Sequence, residues 1–248
     1  MNKLKKIIIT GCSKGIGHEL CKYFLKRSYK VLGISRSDAV IKNKNFYQLR
    51  FDLSKKEDIE KFKRKIATFN PEFLINNAAN FGVPGKFDKI NFNSWENSFA
   101  LNFFAHARLT HICLRKIINN KGKIFFIAGG GAANSFANFS SYSVAKTAIV
   151  RLAENLSEEY KHKIGVYVVT PGVIDTNLYK HFKKYGHKVE NSKFCKIQET
   201  FKLLNFLIST KKKFLNGRYF HVRDNYEKLS KKNIYQNYFL RRNATTKF

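Results

Sequence analysis

Tyr142 and Lys146 stand four residues apart in the stretch Phe-Ser-Ser-Tyr-Ser-Val-Ala-Lys, residues 139–146. On a helix that spacing stacks both side chains on one face. A lysine ammonium beside a phenol favours the phenolate and lowers its pKa. The tyrosine then becomes a group able to exchange a proton near neutral pH. Tyr and Lys also meet by chance on many solvated helix faces. What sets this pair apart is its position, downstream of a nucleotide-binding signature and deep within an alternating strand/helix pattern.

That signature is Thr10-Gly11-Cys12-Ser13-Lys14-Gly15-Ile16-Gly17. It follows a β-branched run over 4–10 that reads as a buried strand, and it opens an amphipathic segment through Lys26. In a strand–turn–helix context Gly11 permits the tight turn, Gly15 lets the backbone approach a pyrophosphate, and Gly17 lets helix and strand pack closely. The helix N-terminus offers its unpaired N–H groups to phosphate. A second strand over 30–34 ends at Ser35-Arg36, with no acid before Asp38 to hold a ribose 2′-hydroxyl. Arg36 is able to pair with a 2′-phosphate, and Lys14 adds a second cation on that side. Both point to NADP(H) over NAD(H), against the plainer reading of two solvated surface cations.

The elements that position these residues follow in order. A third strand is expected over 46–53, ending in Asp52-Leu53. A helix capped by Ser54, with Glu57 completing a capping box, runs to Phe69. Further strands are expected over 71–76, 123–128, 164–170 and 217–222. Ser94 begins a long helix to Asn119, and the Tyr142/Lys146 helix runs from Ser140 to Lys161. Strands and helices alternating at this pitch predict an α/β fold, a Rossmann-type doubly wound parallel sheet with helices on both faces, in a single domain over 1–248.

With those motifs in order, the chain resembles the short-chain dehydrogenases/reductases over nearly its whole length. Gly11-x3-Gly15-Ile16-Gly17 is similar to the family's glycine motif, and Asp52-Leu53 to its adenine-contacting pair. Asn76-Asn77-Ala78-Ala79 resembles its Asn-Asn-Ala-Gly turn, with Ala79 in place of glycine. Asn102 matches the catalytic-helix asparagine and Tyr142-x3-Lys146 the catalytic pair. Pro171-Gly172-Val173 and Thr176 resemble the nicotinamide-side turn. The resemblance implies cofactor contacts from Gly11, Ser13, Lys14, Gly15, Ile16, Gly17, Ser35, Arg36, Asp52, Leu53, Asn77, Ala78, Tyr142, Lys146, Pro171, Gly172, Val173 and Thr176. It implies hydride transfer to a carbonyl carbon while Tyr142 protonates the oxygen. Lys146 would lower the Tyr142 pKa and hold the ribose, and Asn102 would position a relaying water.

One position departs from the family. Its catalytic serine, thirteen residues before the tyrosine, falls on Gly129, and the preceding residue is Ala128. Losing one donor to the reacting oxygen costs about 10²–10³ in rate. A donor from Asn134, Ser135, Ser140 or Ser141, a slow enzyme, and an NADP(H)-binding protein that senses or scaffolds without turnover are the alternatives. The run Gly129-Gly130-Gly131-Ala132 resembles a subset of these reductases with a Gly-Gly-Gly-Ala segment before the tyrosine, and Leu240-Arg241-Arg242 resembles that subset's tail.

A substrate lid is expected over about 177–210 and a C-terminal tail over about 223–248. The first part of the lid carries Lys180, His181, Lys183, Lys184, His187, Lys188, Lys193 and Lys196 among Tyr179 and Phe182. Closed over a pocket, it would favour an anionic carbonyl substrate, a keto-sugar derivative or a 3-oxoacyl thioester; as a solvated basic helix it would favour none. The tail aromatics Tyr226, Tyr235, Tyr238 and Phe239 read as packing groups.

The chain carries 47 Lys and Arg against 17 Asp and Glu, a net charge of +30. The cations are spread evenly and no nucleic-acid motif accompanies them, so nucleic-acid binding is not expected. Cys12, Cys21, Cys113 and Cys195 have neither metal-ligand nor redox spacing, so no metal is expected and a reducing, cytoplasmic setting is. No run approaches the roughly 20 apolar residues of a membrane span. By family analogy a homodimer or homotetramer is expected, through the helices over 94–119 and 140–161.

Overall fold

The computed structural model describes residues 4–187, 190 and 193–231. Its centre is one parallel sheet of seven strands: β1 (Lys6–Thr10), β2 (Lys30–Ser35), β3 (Phe46–Arg50), β4 (Phe73–Asn76), β5 (Lys123–Ile127), β6 (Gly165–Thr170) and β7 (Tyr219–His221). Their spatial order is 3-2-1-4-5-6-7. The helices are α1 (Gly15–Lys26), α2 (Lys56–Phe69), α3 (Phe92–Phe99), α4 (Ala105–Asn119), α5 (Ser140–Glu159), α6 (Asn177–Lys184) and α7 (Ile197–Ser209).

The sheet is covered on both faces, which is why its strands read as unbroken apolar runs. Along β1, Ile7 and Ile9 join the core that includes Leu20, Phe24, Leu203 and Leu207 of α1 and α7. Ile8 between them joins Ile59, Phe62, Leu109 and Ile149 of α2, α4 and α5. β1 pairs with β2 on one side and β4 on the other. Strand order reverses between β1 and β4, and the crevice of an open α/β sheet forms at such a switch. Thr10 ties its edges together: its Oγ1 accepts from the Asn77 and Ala78 amides at 2.8 and 2.9 Å. Asn77 Nδ2 donates to the Thr10 carbonyl at 2.9 Å.

Several boundaries differ from the sequence expectation for local reasons. β3 stops at Arg50, because the Asp52 amide donates to Asp58 Oδ2 at 3.0 Å and the chain turns there. Ser54 does not cap α2; its hydroxyl and amide both donate to Asp52 Oδ1, at 2.7 and 2.9 Å, and the helix starts at Lys56. The helix expected from Ser94 begins two residues earlier, with Asn91 Oδ1 accepting from the Ser94 amide at 2.8 Å. It is also not continuous: a π turn over Ala100–Phe104 separates α3 from α4, with Asn102 inside it. β4 starts at Phe73, α5 ends at Glu159 and β7 spans only three residues.

The lid is shorter than expected. Leu203, Leu204 and Leu207 of α7 are fully buried, so α7 belongs to the core, whereas α6 buries Phe182 and exposes its lysines. The far end of α7 is held by Lys123 of β5, whose Nζ donates to the carbonyls of Leu207, Ile208 and Thr210 at 2.7–2.9 Å. In the tail, Tyr226 packs against Phe206 at 5.1 Å. Lys188, Tyr235, Tyr238, Phe239 and Leu240-Arg241-Arg242 lie outside the described residues. No helix among the described residues is long and apolar enough to cross a membrane.

Candidate active site

The C-terminal ends of the strands carry a cleft of about 390 Å³ at the switch point. Gly11, Ser13, Lys14, Gly15, Ile16, Ser35, Arg36, Asp52, Leu53, Asn77, Ala78 and Thr176 all line it. Gly17 lies behind it, where a Cβ would overlap the Gly11 carbonyl, so helix and turn meet at a distance only glycine allows. Pro171, Gly172 and Val173 are not in its wall; Val173 instead bridges to Phe194, its carbonyl accepting from the Cys195 amide at 2.7 Å.

The donor set fits a dinucleotide phosphate. The first turn of α1 carries no acid and its N-cap residue, Lys14, makes no side-chain cap bond, so the helix N–H groups face the cleft unclaimed by either. A Cβ at Gly15 would meet nothing nearer than the Thr176 side chain at 3.8 Å, so the turn backbone is open to a ligand. At the far end Arg36 is 73% exposed and 3.9 Å from Asp52 Oδ2. Asp38, the acid nearest a ribose position in sequence, is absent from the cleft wall and pairs with Arg50 at 3.1 Å. Burial alone would raise the Asp52 carboxyl pKa, but the Ser54 hydroxyl and amide, then Arg36 and Lys55, bring it below its ordinary value.

Tyr142 and Lys146 lie beside this cleft on α5, both buried. Lys146 Nζ donates to the Ile127 carbonyl at 2.9 Å and sits 5.7 Å from the Tyr142 ring centre. Burial pushes the ammonium down to about 7. The phenol moves in the direction opposite to the sequence expectation: burial, then the neighbouring Tyr219, raise it well above 10. Lys146 does not lower it in this geometry. Desolvation of the phenol dominates, and the lysine ammonium is directed at the Ile127 carbonyl.

Asn102 is fully buried and paired with a residue that the sequence analysis passed over. Its Oδ1 accepts from the Asn80 amide at 3.0 Å, and its Nδ2 donates to Asn80 Oδ1 at 2.7 Å. The only sequence signal for Asn80 is a third asparagine just past the Asn-Asn-Ala-Ala turn. One turn on, His106 is fully buried, and its Nε2 donates to the Ala78 carbonyl at 2.7 Å. Burial and then the Lys146 charge push it down to about 3, so it is neutral.

Gly129, two residues past the end of β5, lies against the phenol. A Cβ there would lie 2.7 Å from Tyr142 Oη. Of the four side chains considered as substitute donors, Ser141 Oγ is buried and accepts from the Val83 amide at 2.8 Å, and Ser140 Oγ accepts from Trp95 Nε1 at 2.9 Å. Asn134 and Ser135 are exposed on the loop. The remaining wall around the phenol is aromatic. Phe182 of α6 lies edge-on to Tyr142 at 5.0 Å and Phe136 at 6.4 Å, with Phe139 against Phe182. His181 stacks on Phe81 at 4.7 Å. Lys180, Lys183 and Lys184 point away as the exposed face of α6, and Tyr142 is left 6% exposed.

Residues 5–185 match the family model for short chain dehydrogenase. Among curated relatives, the 3-oxoacyl-[acyl-carrier-protein] reductase of Buchnera aphidicola is 27% identical over 86% of this chain and 93% of its own. The (S)-benzoin-forming benzil reductase of Bacillus subtilis is 24% identical over 88% of this chain and 98% of its own. Among solved structures, a Beutenbergia cavernae protein provisionally assigned as an NAD(P)-dependent gluconate 5-dehydrogenase, with NADP bound at low occupancy, superposes with a TM-score of 0.78. It is 19% identical, over 88% of this chain and 94% of that one, which shows the shared fold.

Proposed function

Since the chain belongs to the short-chain dehydrogenase family and is an NAD(P)-dependent oxidoreductase, we propose that it reduces a small carbonyl compound with NADPH, Tyr142 giving a proton to the carbonyl oxygen. The observation that carries this reading is the placement of Tyr142: it packs with Phe182 and with Leu178, which also lines the nucleotide cleft, and Lys146 stands 5.7 Å from its ring. When bound, the reduced nicotinamide supplies the hydride. Lys14, the Gly15 backbone and the α1 N-terminus hold the pyrophosphate; Arg36 and Lys14 favour a 2′-phosphate; Asp52, Leu53, Asn77 and Ala78 hold the adenine side. Pro171, Gly172, Val173 and Thr176 border the nicotinamide side. Lys146 holds the ribose and refills the Tyr142 proton, and Asn102 keeps the π turn in place through Asn80.

The aromatic wall narrows the substrate. The hydroxyls of a keto sugar would be left unpaired against Phe81, Phe136 and Phe182, at a cost of about 1–3 kcal/mol each. A 3-oxoacyl thioester places an apolar chain there and its anionic end near the lysines of α6. The protein works in the cytoplasm as a homodimer or homotetramer joined through α4 and α5. Supporting this, Phe104 before α4 and Val144 on α5 are 47% and 48% exposed. The competing reading, an NADP(H)-binding protein without turnover, draws on the missing hydroxyl at Gly129.

NADPH consumption by the purified protein decides between them, measured against 3-oxoacyl thioesters, keto-sugar nucleotides and diketones with Tyr142→Phe alongside. Turnover that disappears in Tyr142→Phe, with NADPH binding retained, is expected. Tight NADPH binding with no turnover across the panel would establish the competing reading.

A further inference from the structure

The end of β5 lacks a hydroxyl where the reaction needs one. Reducing a carbonyl builds negative charge on its oxygen, and a second donor beside Tyr142 contributes about 10²–10³ in rate. The loop residues nearest in sequence lie elsewhere: Ser141 Oγ accepts from the Val83 amide and borders Gly82, Ser140 Oγ accepts from Trp95 Nε1, and Asn134 and Ser135 are exposed. Among the described residues, another hydroxyl reaches Gly129 from far along the chain. Tyr219, on β7, reaches past β6 to place its Oη 3.3 Å from the Gly129 carbonyl oxygen. Thr170 Oγ1, at the end of β6, donates to the same Oη at 2.7 Å. With the threonine as donor, the phenol keeps its own hydrogen to give. It gives it now through a long bond, which is readily re-aimed.

Gly129 therefore lies between two phenols. Tyr142 Oη occupies the space beside its missing Cβ, and Tyr219 Oη sits at its carbonyl.

We propose that Tyr219 takes the place of the absent serine: its hydroxyl, oriented by Thr170, hydrogen-bonds the reacting carbonyl oxygen alongside Tyr142. The proton transferred comes from Tyr142; Tyr219 keeps its own and stabilises the developing charge. This rests on the reductase reading above.

The test is steady-state NADPH oxidation, with the best substrate of the panel, by the wild type, Tyr219→Phe, and the double variants Gly129→Ser/Tyr219→Phe and Gly129→Ala/Tyr219→Phe. Tyr219→Phe is expected to lower kcat about 10²-fold, with KM and NADPH binding changed less than threefold. Serine and alanine at 129 impose the same added Cβ, so only the hydroxyl distinguishes them. Gly129→Ser/Tyr219→Phe is expected to exceed Gly129→Ala/Tyr219→Phe at least tenfold. A Tyr219→Phe kcat within twofold of wild type would overturn the proposal and leave the reductase reading standing. Equal rates in the two double variants would reduce Tyr219 to a positioning role and overturn it as well. A wild type that binds NADPH and turns over nothing would remove both.

Discussion

The contact between Gly129 and Tyr142 makes a prediction that runs against intuition. Adding a side chain at the family's serine position should harm this protein before it helps. Gly129→Ala is the cleanest perturbation, since it introduces a Cβ and nothing else. That carbon would stand 2.7 Å from Tyr142 Oη, 0.7 Å inside the 3.4 Å at which ordinary contact begins. The glycine has an extended backbone, φ −154°, so alanine meets no backbone strain and the whole effect falls on the phenol. Tyr142 has little room to retreat, with Phe182 at 5.0 Å and Phe136 at 6.4 Å. A displacement approaching 1 Å at a reacting group costs about 10²-fold. We expect kcat to fall between about 10- and 100-fold in Gly129→Ala. NADPH affinity should be unchanged, because Gly129 is not part of the nucleotide cleft. Paired kcat measurements and NADPH fluorescence titrations provide the check. A Gly129→Ala enzyme with wild-type kcat would refute the reasoning, since it would mean that the phenol position seen here is not the one that reacts.

Three further outcomes follow from the same geometry. Arg36→Ala should weaken NADPH binding by about 10- to 100-fold, the worth of a charge-assisted bond of roughly 1.5–3 kcal/mol, and leave NADH binding within threefold; equal losses for both cofactors in calorimetry would contradict the role given to Arg36. Lys146 is lowered to about 7 in the fold from 10.5, so the unfolded chain binds more protons between those values and stability rises with pH across that window, by up to about 5 kcal/mol at 1.36 per unit. Urea unfolding at pH 7 and pH 10 should show this rise in the wild type and its loss in Lys146→Met; matching curves for the two proteins would refute it. Phe182→Ala should open the phenol to water, lower its pKa and bring an alkaline fall in the reduction rate to lower pH than in wild type, readable from a kcat–pH profile.

Much of the frame was legible because it is local. Ile7, Ile8 and Ile9 announce a strand buried on both faces, and the three glycines that follow announce the turn. Tyr142 and Lys146 share a helix face by spacing alone. What escaped the sequence depends on contacts made across it. Ser54 looked like a cap, but Asp52, two residues away, captures both its donors. Asn80 meets Asn102 across 22 residues and Tyr219 meets Gly129 across 90, with no local pattern to mark either. The lysines of α6 fitted a basic pocket wall and a solvated basic face alike. The helix turns its phenylalanine inward and leaves its charges in water, which no count of residue types reveals.

The ammonium of Lys123 clasped around three carbonyls at the end of α7 has a mechanical consequence. It ties that helix to β5, the strand that leads to Gly129, so a shift of α7 is felt at the strand beneath the site. Among the described residues α6 has no such anchor: of its eight residues Phe182 is the one that is buried, against Tyr142 at 5.0 Å, and the helix lies between its capping Thr176 and Gly186, whose φ is +90°.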